Sequence, residues 1–336
     1  MVLRLTAVGP GATIQDGGRH GFLRFGVTPS GPMDWTAMRS ANLTLGNAAD
    51  AAALEIASSG LTVVCETPLT VAFAGGGFAW TRDGAPLPAA ARVRLDAGAV
   101  LRARAGSWGA FAYLALPGGL EAASVMGSCS THTRSRLGGL DGRMLAAEDR
   151  LVPREPHAAP LDDVAIEAPW LSRRDSPVRV VLGPQDDYFS RAALDLFGAA
   201  TFVLTPAADR MAYKFAGPPI AHQADFNIVS DGVALGAVHI AGDGQPMVLM
   251  ADRQPTGGYP KIAHVCRADI GRLAQLRPGD ACRFRAIDPE EARVALLALE
   301  DEVATVTALL TPLRKAFTAE SLLGANLIGG VVDGRD

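Results

Sequence analysis

Short apolar runs separated by glycine turns dominate the first half of the chain. Apolar or alternating stretches span residues 61–73, 92–95, 100–105 and 110–116, and glycine-rich turns lie between them. Short strands at this spacing are typical of β-barrels and β-sandwiches. The pattern therefore predicts a mainly β fold with few helices.

The second half repeats this pattern. Apolar runs at 178–182, 200–204 and 246–250 predict three further strands. The phrase LDAGAVLRARA at 95–105 is similar to LRPGDACRFRA at 276–286, since each is a glycine turn that leads into a strand. Because such turns are common, the similarity is a first indication of two related β units.

Four segments carry the polar caps of helices. Each begins at an aspartate that can accept hydrogen bonds from free backbone amides. The expected helices span 34–45, 186–196, 269–275 and 288–310. The last has the clearest signal, because Asp288 is followed by a proline and by two acids that the helix dipole favours.

A proline-rich segment of mixed charge at 153–177 divides the chain. It predicts a linker between an N-terminal β-barrel unit at 1–152 and a C-terminal β-barrel unit at 178–288. A C-terminal helix and tail are expected at 289–336. Within that tail, the apolar stretch 322–332 needs cover from a helix, a domain or a partner.

Composition narrows the class of protein. The chain has 336 residues, 49% of them hydrophobic, and a net charge of −4. This charge argues against a nucleic-acid surface, and no apolar run is long enough for a membrane span or a secretory leader. Because its cysteines lack CxxC spacing, we expect a cytoplasmic protein with buried free thiols. The cysteines are Cys65, Cys129, Cys266 and Cys282.

Several common functional motifs are absent from the sequence. It contains neither a GxxxxGKS/T nucleotide loop nor a GxSxG nucleophile elbow. The six histidines show no HxH or HxxxH spacing, so we expect no metal site. No lysine lies between two methionines, so the chain has no biotin-attachment sequence of its own.

The first polar cluster interleaves glycines with charged residues. Gln15, Asp16 and Arg19 lie in the sequence QDGGRHG, and Asp34 follows a second glycine-containing stretch. Glycine lets backbone amides approach a ligand closely, and an arginine fork binds carboxylate or phosphate. The alternative is a set of tight turns in which Asp16 pairs with Arg19 and Asp34 caps a helix.

Two further clusters contain arginine. Residues 130–143 hold three arginines around a Gly-Gly turn, including Arg136, and suit an anion pocket. The alternative is a solvated hairpin with structural ion pairs. The sequence DRMAYK at 209–214 includes Arg210, for which the favoured interpretation is a structural contact between domains.

The fourth cluster, MADRQPTGGYPKIA at 250–263, follows an apolar run. Its Lys261 is one of only three lysines among 31 basic residues, which lowers the chance of a random surface charge. We expect a strand to deliver Arg253 and a Gly-Gly turn to present Lys261 to a carboxylate, phosphate or carbonyl oxygen. The alternatives are a β-turn with a stacked tyrosine and a lysine paired with a surface acid.

In order along the chain, these clusters resemble the motifs of one family. The matching stretches include TIQDGGRHGFLRFGVTPSGPMD, RSRLGGLDGR, DRMAYKF and DRQPTGGYPKIAHV, within about residues 11–280. The family is that of biotin-dependent carboxyltransferases, also called allophanate hydrolase subunit 2. It includes the C subunit of 5-oxoprolinase and one half of the carboxyltransferase region of urea carboxylase. The resemblance implies two cyclophilin-like β-barrel units with a few peripheral helices.

The resemblance also implies partners and an energy source. In 5-oxoprolinase, a smaller kinase-inhibitor-like subunit and a deformylase-like barrel subunit take part in opening 5-oxoproline with ATP. In urea carboxylase, carboxyl passes to urea from biotin, which a separate carrier would have to supply here. The expected function is the first of these, and the second is an alternative. A further alternative is a non-enzymatic regulator that sequesters the kinase-inhibitor-like partner.

The clusters and the resemblance together give candidate site residues. Their shared chemistry is the stabilisation of a carbonyl oxygen that gains negative charge. The expected catalytic residues are Lys261, Arg253, Asp16 and Asp34, with either aspartate as a base or an orienting group. The expected substrate-binding residues are Gln15, Arg19, Gln254, Thr256, Gly257, Gly258, Tyr259, Arg136, Arg210 and His239.

The chain departs from the family pattern at several positions. Pro255 stands where the family has threonine, Ala212 where it has glycine, and Lys214 where it has arginine. Glu148 replaces the glycine of a Gly-Asp pair. The substitution expected to matter most is His239 in place of glutamine, because it can change the choice of substrate or mark a chain that no longer acts on 5-oxoproline.

Overall fold

The computed structural model describes residues 2–173, 175–223 and 225–313, and strands dominate them. The first-half strands are β1 (Leu3–Val8), β2 (Thr13–Gln15), β3 (Ala53–Ala57), β4 (Leu61–Cys65), β5 (Leu69–Gly75), β6 (Ala79–Arg82), β7 (Ala85–Leu87), β8 (Ala91–Leu95), β9 (Val100–Arg104), β10 (Phe111–Ala115), β11 (Arg150–Leu151) and β12 (Val164–Ile166). The others are β13 (Val178–Leu182), β14 (Phe202–Ala208), β15 (Ala212–Ala216), β16 (Asp231–Gly232), β17 (Ala237–Ile240), β18 (Pro246–Leu249), β19 (Thr256–Gly257), β20 (Lys261–Val265), β21 (Ala281–Cys282), β22 (Phe284–Ala286) and β23 (Leu310–Pro312). The α-helices are α1 (Trp35–Thr44), α2 (Arg191–Ala199), α3 (Arg267–Ala274) and α4 (Pro289–Ala304).

The strands form two β-rich units. The first has a six-stranded sheet in the order β11-β1-β4-β9-β6-β7 and a seven-stranded sheet in the order β2-β3-β10-β5-β8-β12-β23. The second has an eight-stranded sheet, β21-β14-β15-β18-β17-β20-β13-β22, and the two-stranded ribbon β16-β19. The prediction of a mainly β fold with two β units and a few helices is confirmed.

Burial explains why some strands alternate in sequence and others do not. In β4, buried residues alternate with half-buried ones, because one face packs on the core. In β5 and β10 every residue is buried, and their sequences are continuous apolar runs. Their second face is covered by α1, whose Ala37, Met38 and Ala41 are fully buried. Strands covered on both faces therefore lose their alternation.

The two larger apolar cores among the described residues hold the units together. One lies between the two sheets of the first unit, where Phe73 and Trp80 stack with ring centroids 4.0 Å apart. The other begins at α1, includes Tyr113 of β10 and continues into the second unit through Phe202 and Phe284. The second core therefore joins the two units.

The proline-rich segment contributes a strand to the first unit. Within it, β12 pairs with β8 on one side and with β23 on the other. Residues 310–312, which follow the second unit in the chain, therefore form an edge strand of the seven-stranded sheet of the first unit. The division at 153–177 stays a prediction. The apolar stretch 322–332, for which cover was expected, lies outside the described residues.

Local caps decide where the helices begin. Asp34 caps α1 by accepting hydrogen bonds from two free amides of its first turn. Asp288 caps α4 and forms a capping box with Glu291, which satisfies amides in both directions. Both predicted helix starts are confirmed, although α4 ends at Ala304 and residues 306–309 continue as a 3-10 turn.

The other two helices begin elsewhere than predicted. Asp186–Tyr188 forms a 3-10 turn, and α2 begins after Ser190, whose hydroxyl accepts from the amide of Ala193 at 3.1 Å. The expected start at 186 is therefore wrong, because the hydroxyl of Ser190, four residues further along the chain, supplies the cap. Similarly, α3 begins after Cys266, so Asp269 lies in the first turn instead of capping it. No helix in the described residues is long and apolar enough to cross a membrane.

The two similar glycine phrases fold into similar turns. Gly98 and Gly279 have φ angles of 85° and 95°, in the left-handed region that glycine enters at low cost. Their amides donate to the carbonyls of Cys65 at 2.7 Å and Leu204 at 2.8 Å, each on a neighbouring strand. The same type of glycine turn, with a left-handed glycine that donates to a neighbouring strand, thus occurs in both units. All four cysteines of the sequence are free and buried, as expected.

Candidate functional site

Arg210 joins the two units. It lies just before β15, forms an ion pair with Glu55 of β3 and binds both oxygens of Asp252 at 2.9 and 3.0 Å. It also donates to the carbonyl of Gly31 at 2.8 Å. Burial disfavours its charge, but the two carboxylates outweigh burial and raise the pKa of Arg210. The favoured prediction of a structural contact is confirmed, and a substrate-binding role for Arg210 stays a prediction.

The Arg210 pair belongs to a longer buried network. Glu55 is fully buried and accepts hydrogen bonds from the hydroxyl of Tyr113 at 2.6 Å and the amide of Met33 at 2.9 Å. The Tyr113 hydroxyl in turn accepts from the amide of Asp34 at 2.8 Å. Burial and then the charge of Glu55 raise the pKa of Tyr113. Tyr113 is therefore neutral, and its hydroxyl, the Glu55 carboxylate and the amides of Met33 and Asp34 all have hydrogen-bond partners within this network.

Asp34 ends this network at α1. Its Oδ1 accepts from the amides of Thr36 and Ala37 at 3.1 Å each, and its Oδ2 accepts from Gln275 Nε2 at 2.8 Å. The helix-cap alternative is therefore confirmed. Because both carboxylate oxygens are occupied, Asp34 would have to release a hydrogen bond to act as a base. Its catalytic role stays a prediction.

Asp16 binds residues 128–130, in the segment that follows residue 125. Its carboxylate accepts from Ser128 Oγ and the Cys129 amide at 2.5 Å each, from Ser130 Oγ at 2.7 Å and from the Gly18 amide at 3.0 Å. Burial raises the pKa of Asp16, but these hydrogen bonds outweigh burial and hold the pKa below its usual value. The geometry is that of an ionised structural carboxylate, and a catalytic role stays a prediction.

Arg19 does not pair with Asp16, so that alternative is wrong for the described structure. Arg19 is fully buried and donates to the carbonyls of Val125 at 2.9 Å and Ser130 at 3.0 Å. Burial lowers the pKa of Arg19. Its Nη1 has no hydrogen-bond partner among the described residues. Carbonyl oxygens thus replace the expected carboxylate, because the Asp16 oxygens are already occupied.

Gln15 lies beside the same segment. Its Nε2 donates to Thr13 Oγ1 at 3.0 Å and to the Thr131 carbonyl at 3.1 Å, while its Oε1 is buried and lacks a partner in the part of the chain that the structure describes. No hydrogen bond within residues 2–173, 175–223 and 225–313 joins residues 15–19 to Lys261. From the sequence, we expect residues 15–19 to close the other side of the polar cleft that Lys261 faces, and this stays a prediction.

The three arginines of the stretch 130–143 are exposed, whereas Ser130, Thr131 and His132 at its start are buried. Arg143 pairs with Asp149 at 2.7 Å, and Arg134 pairs with Asp209 at 3.6 Å. Arg136 is exposed and has a φ angle of 50°. The alternative of a solvated hairpin with structural ion pairs is confirmed for two of the three arginines. Substrate binding by Arg136 stays a prediction.

The fourth cluster contains polar groups that the described protein atoms leave unpaired. Arg253 is 7% exposed and donates from Nε to the Val233 carbonyl at 3.0 Å, whereas its terminal nitrogens make no hydrogen bond with the described residues. Burial and then the charge of Arg267 lower the pKa of Arg253 to about 10. The Gln254 Oε1 is buried and likewise unpartnered among these residues. Both side chains are thus available to a ligand.

The Gly-Gly turn packs against a histidine. Thr256 and Gly257 form β19, which pairs with β16 at residues 231–232. A Cβ on Gly257 would lie 2.7 Å from Cε1 of His239, closer than a real Cβ contact allows. A Cβ on Gly258 would meet its nearest neighbour at 3.4 Å, an ordinary contact. The close approach to the histidine therefore requires glycine at 257.

His239 is buried without a hydrogen bond from the described residues. It is fully buried in β17, and both ring nitrogens lack partners there. Tyr259 meets the ring edge-on, with centroids 6.2 Å apart. Burial and then the charges of Lys261 and His264 lower the pKa of His239 to about 4. The imidazole is therefore neutral at pH 7.

A β-bulge brings Lys261 opposite His239. Strands β17 and β20 pair Val238 with Ala263 but His239 with Lys261, so β20 contains one extra residue, Ile262. A bulge re-aims the side chains of the strand that carries it. With an unbroken register, Ile262 would lie opposite the histidine, and the bulge places the cation there instead.

Lys261 is buried and paired. It is 1% exposed, and its Nζ donates to Oδ2 of Asp231 at 3.0 Å. The hydrogen bonds from Lys261 and the Gly232 amide lower the pKa of Asp231, which is exposed. Pairing with a surface acid is therefore confirmed, although the ammonium itself is buried. An ammonium has three hydrogens, so two stay available to a ligand.

Two residues of this region were not candidates from the sequence. Asp231 begins β16 in the phrase SDGVALG, where an Asp-Gly pair was the available signal. Arg267 begins α3 immediately after a buried cysteine. Neither belongs to a motif, and Asp231 reaches Lys261 from thirty positions away in the chain.

A cavity of about 500 Å³ lies elsewhere, between the units. Its lining includes Trp108, Trp170 and residues of α3 and α4. Asp34 lines it, whereas Arg253 and Lys261 do not. No group of three His, Cys, Asp or Glu side chains among the described residues is arranged to hold a metal ion.

Comparison with known proteins places this site in a wider context. Residues 25–286 match the family model for the carboxyltransferase domain, subdomain A and B. The chain is 36% identical over 291 residues to the C subunit of 5-oxoprolinase from Escherichia coli (strain K12), covering 87% of this chain and 93% of that protein. It is 29% identical over 311 residues to urea amidolyase of Saccharomyces cerevisiae, covering 87% of this chain and 17% of that one.

Solved structures agree with these relations. The crystal structure of Kluyveromyces lactis urea carboxylase superposes with a TM-score of 0.84 at 26% identity, covering 91% of this chain and 29% of that one. The K. lactis urea amidolyase gives 0.83 at 27% identity, covering 91% and 20%. The family match contains the arginine-rich, Arg210 and Lys261 clusters. The chain thus belongs to the carboxyltransferase domain, subdomain A and B, family and is homologous to the C subunit of 5-oxoprolinase.

Proposed function

We propose that this chain is a subunit of a 5-oxoprolinase-type complex that activates the carbonyl of a lactam for hydrolysis. The observation that supports this most is its 36% identity over 291 residues to the C subunit of 5-oxoprolinase. The fourth cluster adds a suitable chemistry, because Arg253 and Lys261 are buried cations that keep N–H groups unused by the described residues.

In this proposal, Lys261 polarises the lactam carbonyl. The oxygen gains negative charge when the ring is attacked, and preorganised donors in a desolvated site stabilise that charge. The bond to Asp231 orients the ammonium and leaves two of its hydrogens for the oxygen. Arg253 adds a second positive charge from the other end of the same segment.

His239 supplies a neutral polar group beside this cation. A neutral imidazole has one N–H donor and one acceptor nitrogen, and a lactam likewise presents one N–H and one carbonyl. Because neither ring nitrogen is used by the described residues, both suit a ligand of this kind. Tyr259 forms an apolar wall, and Gln254, Thr256 and the two glycines complete the proposed binding segment.

The remaining candidates act by positioning. Asp16 and Arg19 hold the segment that follows residue 125, Asp34 caps α1, and Arg210 joins the units. A base role for either aspartate would require the loss of a hydrogen bond on ligand binding. Positioning requires no such change, so the proposal assigns positioning to them, to Gln15 and to Arg136.

The proposed complex is cytoplasmic and contains a smaller kinase-inhibitor-like subunit and a deformylase-like barrel subunit. ATP drives ring opening and binds through the complex, and any nucleotide site on this chain itself would be unconventional, because the sequence has no Walker-type loop. The chain alone is therefore expected to turn over little substrate.

A second candidate is a carboxyltransferase subunit that acts on urea or a related amide. The TM-score of 0.84 to urea carboxylase favours it. The same donors would then polarise the carbonyl groups of the amide and of carboxybiotin on a separate carrier. A purely regulatory chain that sequesters a partner leaves the unpaired groups around Lys261 without a purpose, so we rank it last.

Reconstitution with the encoded partner subunits separates these functions. The proposal expects glutamate to form from 5-oxoproline with ATP only when this chain and its partners are combined. Transfer of carboxyl from free carboxybiotin to urea, without ring opening, would support the second candidate. Absence of both reactions in a fully assembled complex would contradict both enzymatic functions. A neighbouring deformylase-like or biotin carboxylase gene would point to the first or the second, respectively.

A further inference from the structure

The cavity between the two units has an apolar part. Its lining there includes Trp108 and Trp170, together with Ala298 and Leu299 of α4. The indole N–H of Trp170 donates to Ser40 Oγ at 2.9 Å, which fixes that ring. At about 500 Å³ the cavity has the size of a small-molecule site, and such sites lie preferentially at domain interfaces. Tryptophans in this setting suit a ligand with a flat ring system.

A second, smaller hollow adjoins this cavity and is polar. The two share five lining residues, among them Arg179, Asp269 and Arg272. Arg285 lines the second hollow, whereas the tryptophans and the α4 residues line only the first. The combined space therefore has an apolar end and a basic end.

Three arginines surround one carboxylate at the basic end. Asp269 accepts from Arg179 at 2.7 Å and from Arg272 at 2.8 Å. Burial raises the pKa of Asp269, but the hydrogen bond from Arg179 and the charge of Arg272 outweigh burial and lower the pKa. Among the described residues, Asp269 is the only carboxylate of this hollow. With Arg285, the hollow therefore has an excess of positive charge.

The guanidinium groups that keep free donors lie side by side. The parallel register of β13 and β22 places Arg179 opposite Arg285, so both project to the same face of the sheet. Arg179 uses Nε and Nη2 for Asp269, and its Nη1 has no partner among the described residues. Arg285 is exposed, and its side chain makes no hydrogen bond or ion pair within the part of the chain that the structure describes.

The other carboxylates of the cavity line only its first part. Asp34 caps α1 and binds Gln275. Asp175 and Asp280 lie 3.4 and 3.8 Å from Arg173. Glu302 lies on α4, towards the apolar end. The positive charge of the second hollow is therefore available to an anion.

We infer that this cavity is a nucleotide-binding site, with the base in the apolar part and the phosphates at Arg179 and Arg285. Guanidinium forks bind phosphate oxygens through charge-assisted hydrogen bonds, and a base stacks on aromatic side chains. The choice of a nucleotide rests on the proposed function, in which ATP drives ring opening. The site is unconventional, because arginine side chains replace the backbone amides of a Walker-type loop.

Titration of the full chain with ATP tests the site without turnover. Tryptophan fluorescence is the readout, and Trp108→Phe identifies the share of the signal that comes from the cavity. We expect a saturable change with ATP. Adenosine lacks the phosphates and tripolyphosphate lacks the base, so each should displace ATP only at concentrations about 10-fold higher or more.

Arg285→Met should weaken ATP binding roughly 10- to 100-fold, the scale for a lost hydrogen bond to a charged group, and leave adenosine binding unchanged. Because Arg285 is exposed, the variant should fold. Two exposed arginines outside both hollows give controls: Arg102 on β9, and Arg191 on α2, which pairs with Asp195 at 3.0 Å. Arg102→Met and Arg191→Met should bind ATP like the wild type.

Three results would overturn the site. They are the absence of saturable ATP binding, equal ATP affinity of Arg285→Met and wild type, and displacement of ATP by tripolyphosphate at equal concentration. The last would show that the base contributes nothing, and that the apolar part is not its place.

The reconstituted complex separates this inference from the proposed function. Ring opening with a KM for ATP unchanged by Arg285→Met would overturn the nucleotide site and leave the proposed function intact. ATP binding that depends on Arg285, in a complex that opens no ring, would support the site and contradict the proposed function.

Discussion

The Arg210 network and the Lys261 region both bury charge, but they treat their polar groups in opposite ways. Around Arg210, the two carboxylates and the Tyr113 hydroxyl are all paired within the protein. Around Lys261, the ring nitrogens of His239 and the Gln254 Oε1 lack partners among the described residues. A buried polar group without a partner costs about 1–3 kcal/mol. The first region is therefore built for stability, and the second tolerates a cost that a bound ligand can remove.

The contrast also separates residue types that look alike in sequence. Arg210 and Arg253 each lie in a polar phrase that follows an aspartate. Arg210 binds two carboxylates, which raise its pKa, whereas burial and Arg267 lower the pKa of Arg253. The two arginines thus differ in their partners, because carboxylates surround Arg210, whereas Arg253 donates to a single backbone carbonyl among the described residues.

The largest expected effect is on stability, at Arg210. Arg210→Met leaves Glu55 and Asp252 without their cation, and breaking a buried pair costs about 3–5 kcal/mol. Urea denaturation should show this loss in the free energy of unfolding. The exposed pair of Arg191 gives the control, because Arg191→Met should cost about 0–1 kcal/mol. Similar small losses in both variants would remove the distinction between the two regions.

The next effect is on turnover, at Lys261. Lys261→Met should lower the turnover of the reconstituted complex by about 100-fold or more, because it removes a donor to the charged oxygen. Folding and partner binding should persist. Asp231→Asn is the matched variant, since it weakens the ion pair but keeps the ammonium. Equal losses in both variants would show that Lys261 acts only through its ion pair, and unchanged turnover in Lys261→Met would contradict any role of Lys261 in the reaction.

The third effect is on the pH dependence of stability, at His239. Its pKa is about 4 in the folded chain and near 6.5 when unfolded, so unfolding takes up a proton between these pH values. Stability should therefore fall as the pH drops from 6.5 to about 4, by about 3 kcal/mol in total. Burial lowers the pKa of His264 in the same direction. Subtracting the profile of His239→Gln isolates the contribution of His239, and identical profiles would contradict the prediction.

The smallest expected effect is on the stability of the ligand-free chain, which should rise on substitution of His239 near Lys261 and fall on substitution of Tyr113 in the Arg210 network. His239→Leu removes two unpaired nitrogens and should stabilise the ligand-free chain by about 1–2 kcal/mol, while weakening ligand binding. Tyr113→Phe removes a hydroxyl that is paired on both sides and should destabilise it by about 1–3 kcal/mol. Thermal unfolding measures both. Destabilisation by both substitutions would show that His239 is satisfied in the protein.

Local signals were sufficient for much of the fold. The caps at Asp34 and Asp288 lie within three residues of the amides they bind, so the sequence alone predicts those helix starts. The bulge opposite His239 could not be predicted, because strand register depends on how two distant segments pair. Asp16 was recognised as important, but its oxygens are filled by hydroxyls and an amide of residues 128–130, more than a hundred positions away.

The pairing of β12 with β23 has a consequence for biosynthesis. Ala165 lies opposite Thr311, so the seven-stranded sheet gains its last edge strand after the whole second unit has left the ribosome. Until then β12 presents an unpaired edge, of the kind that invites association with other chains. Contacts this distant in sequence also form slowly, since a long loop must close first. The first unit should therefore emerge from the ribosome early but complete its sheet late, after the second unit has been synthesised.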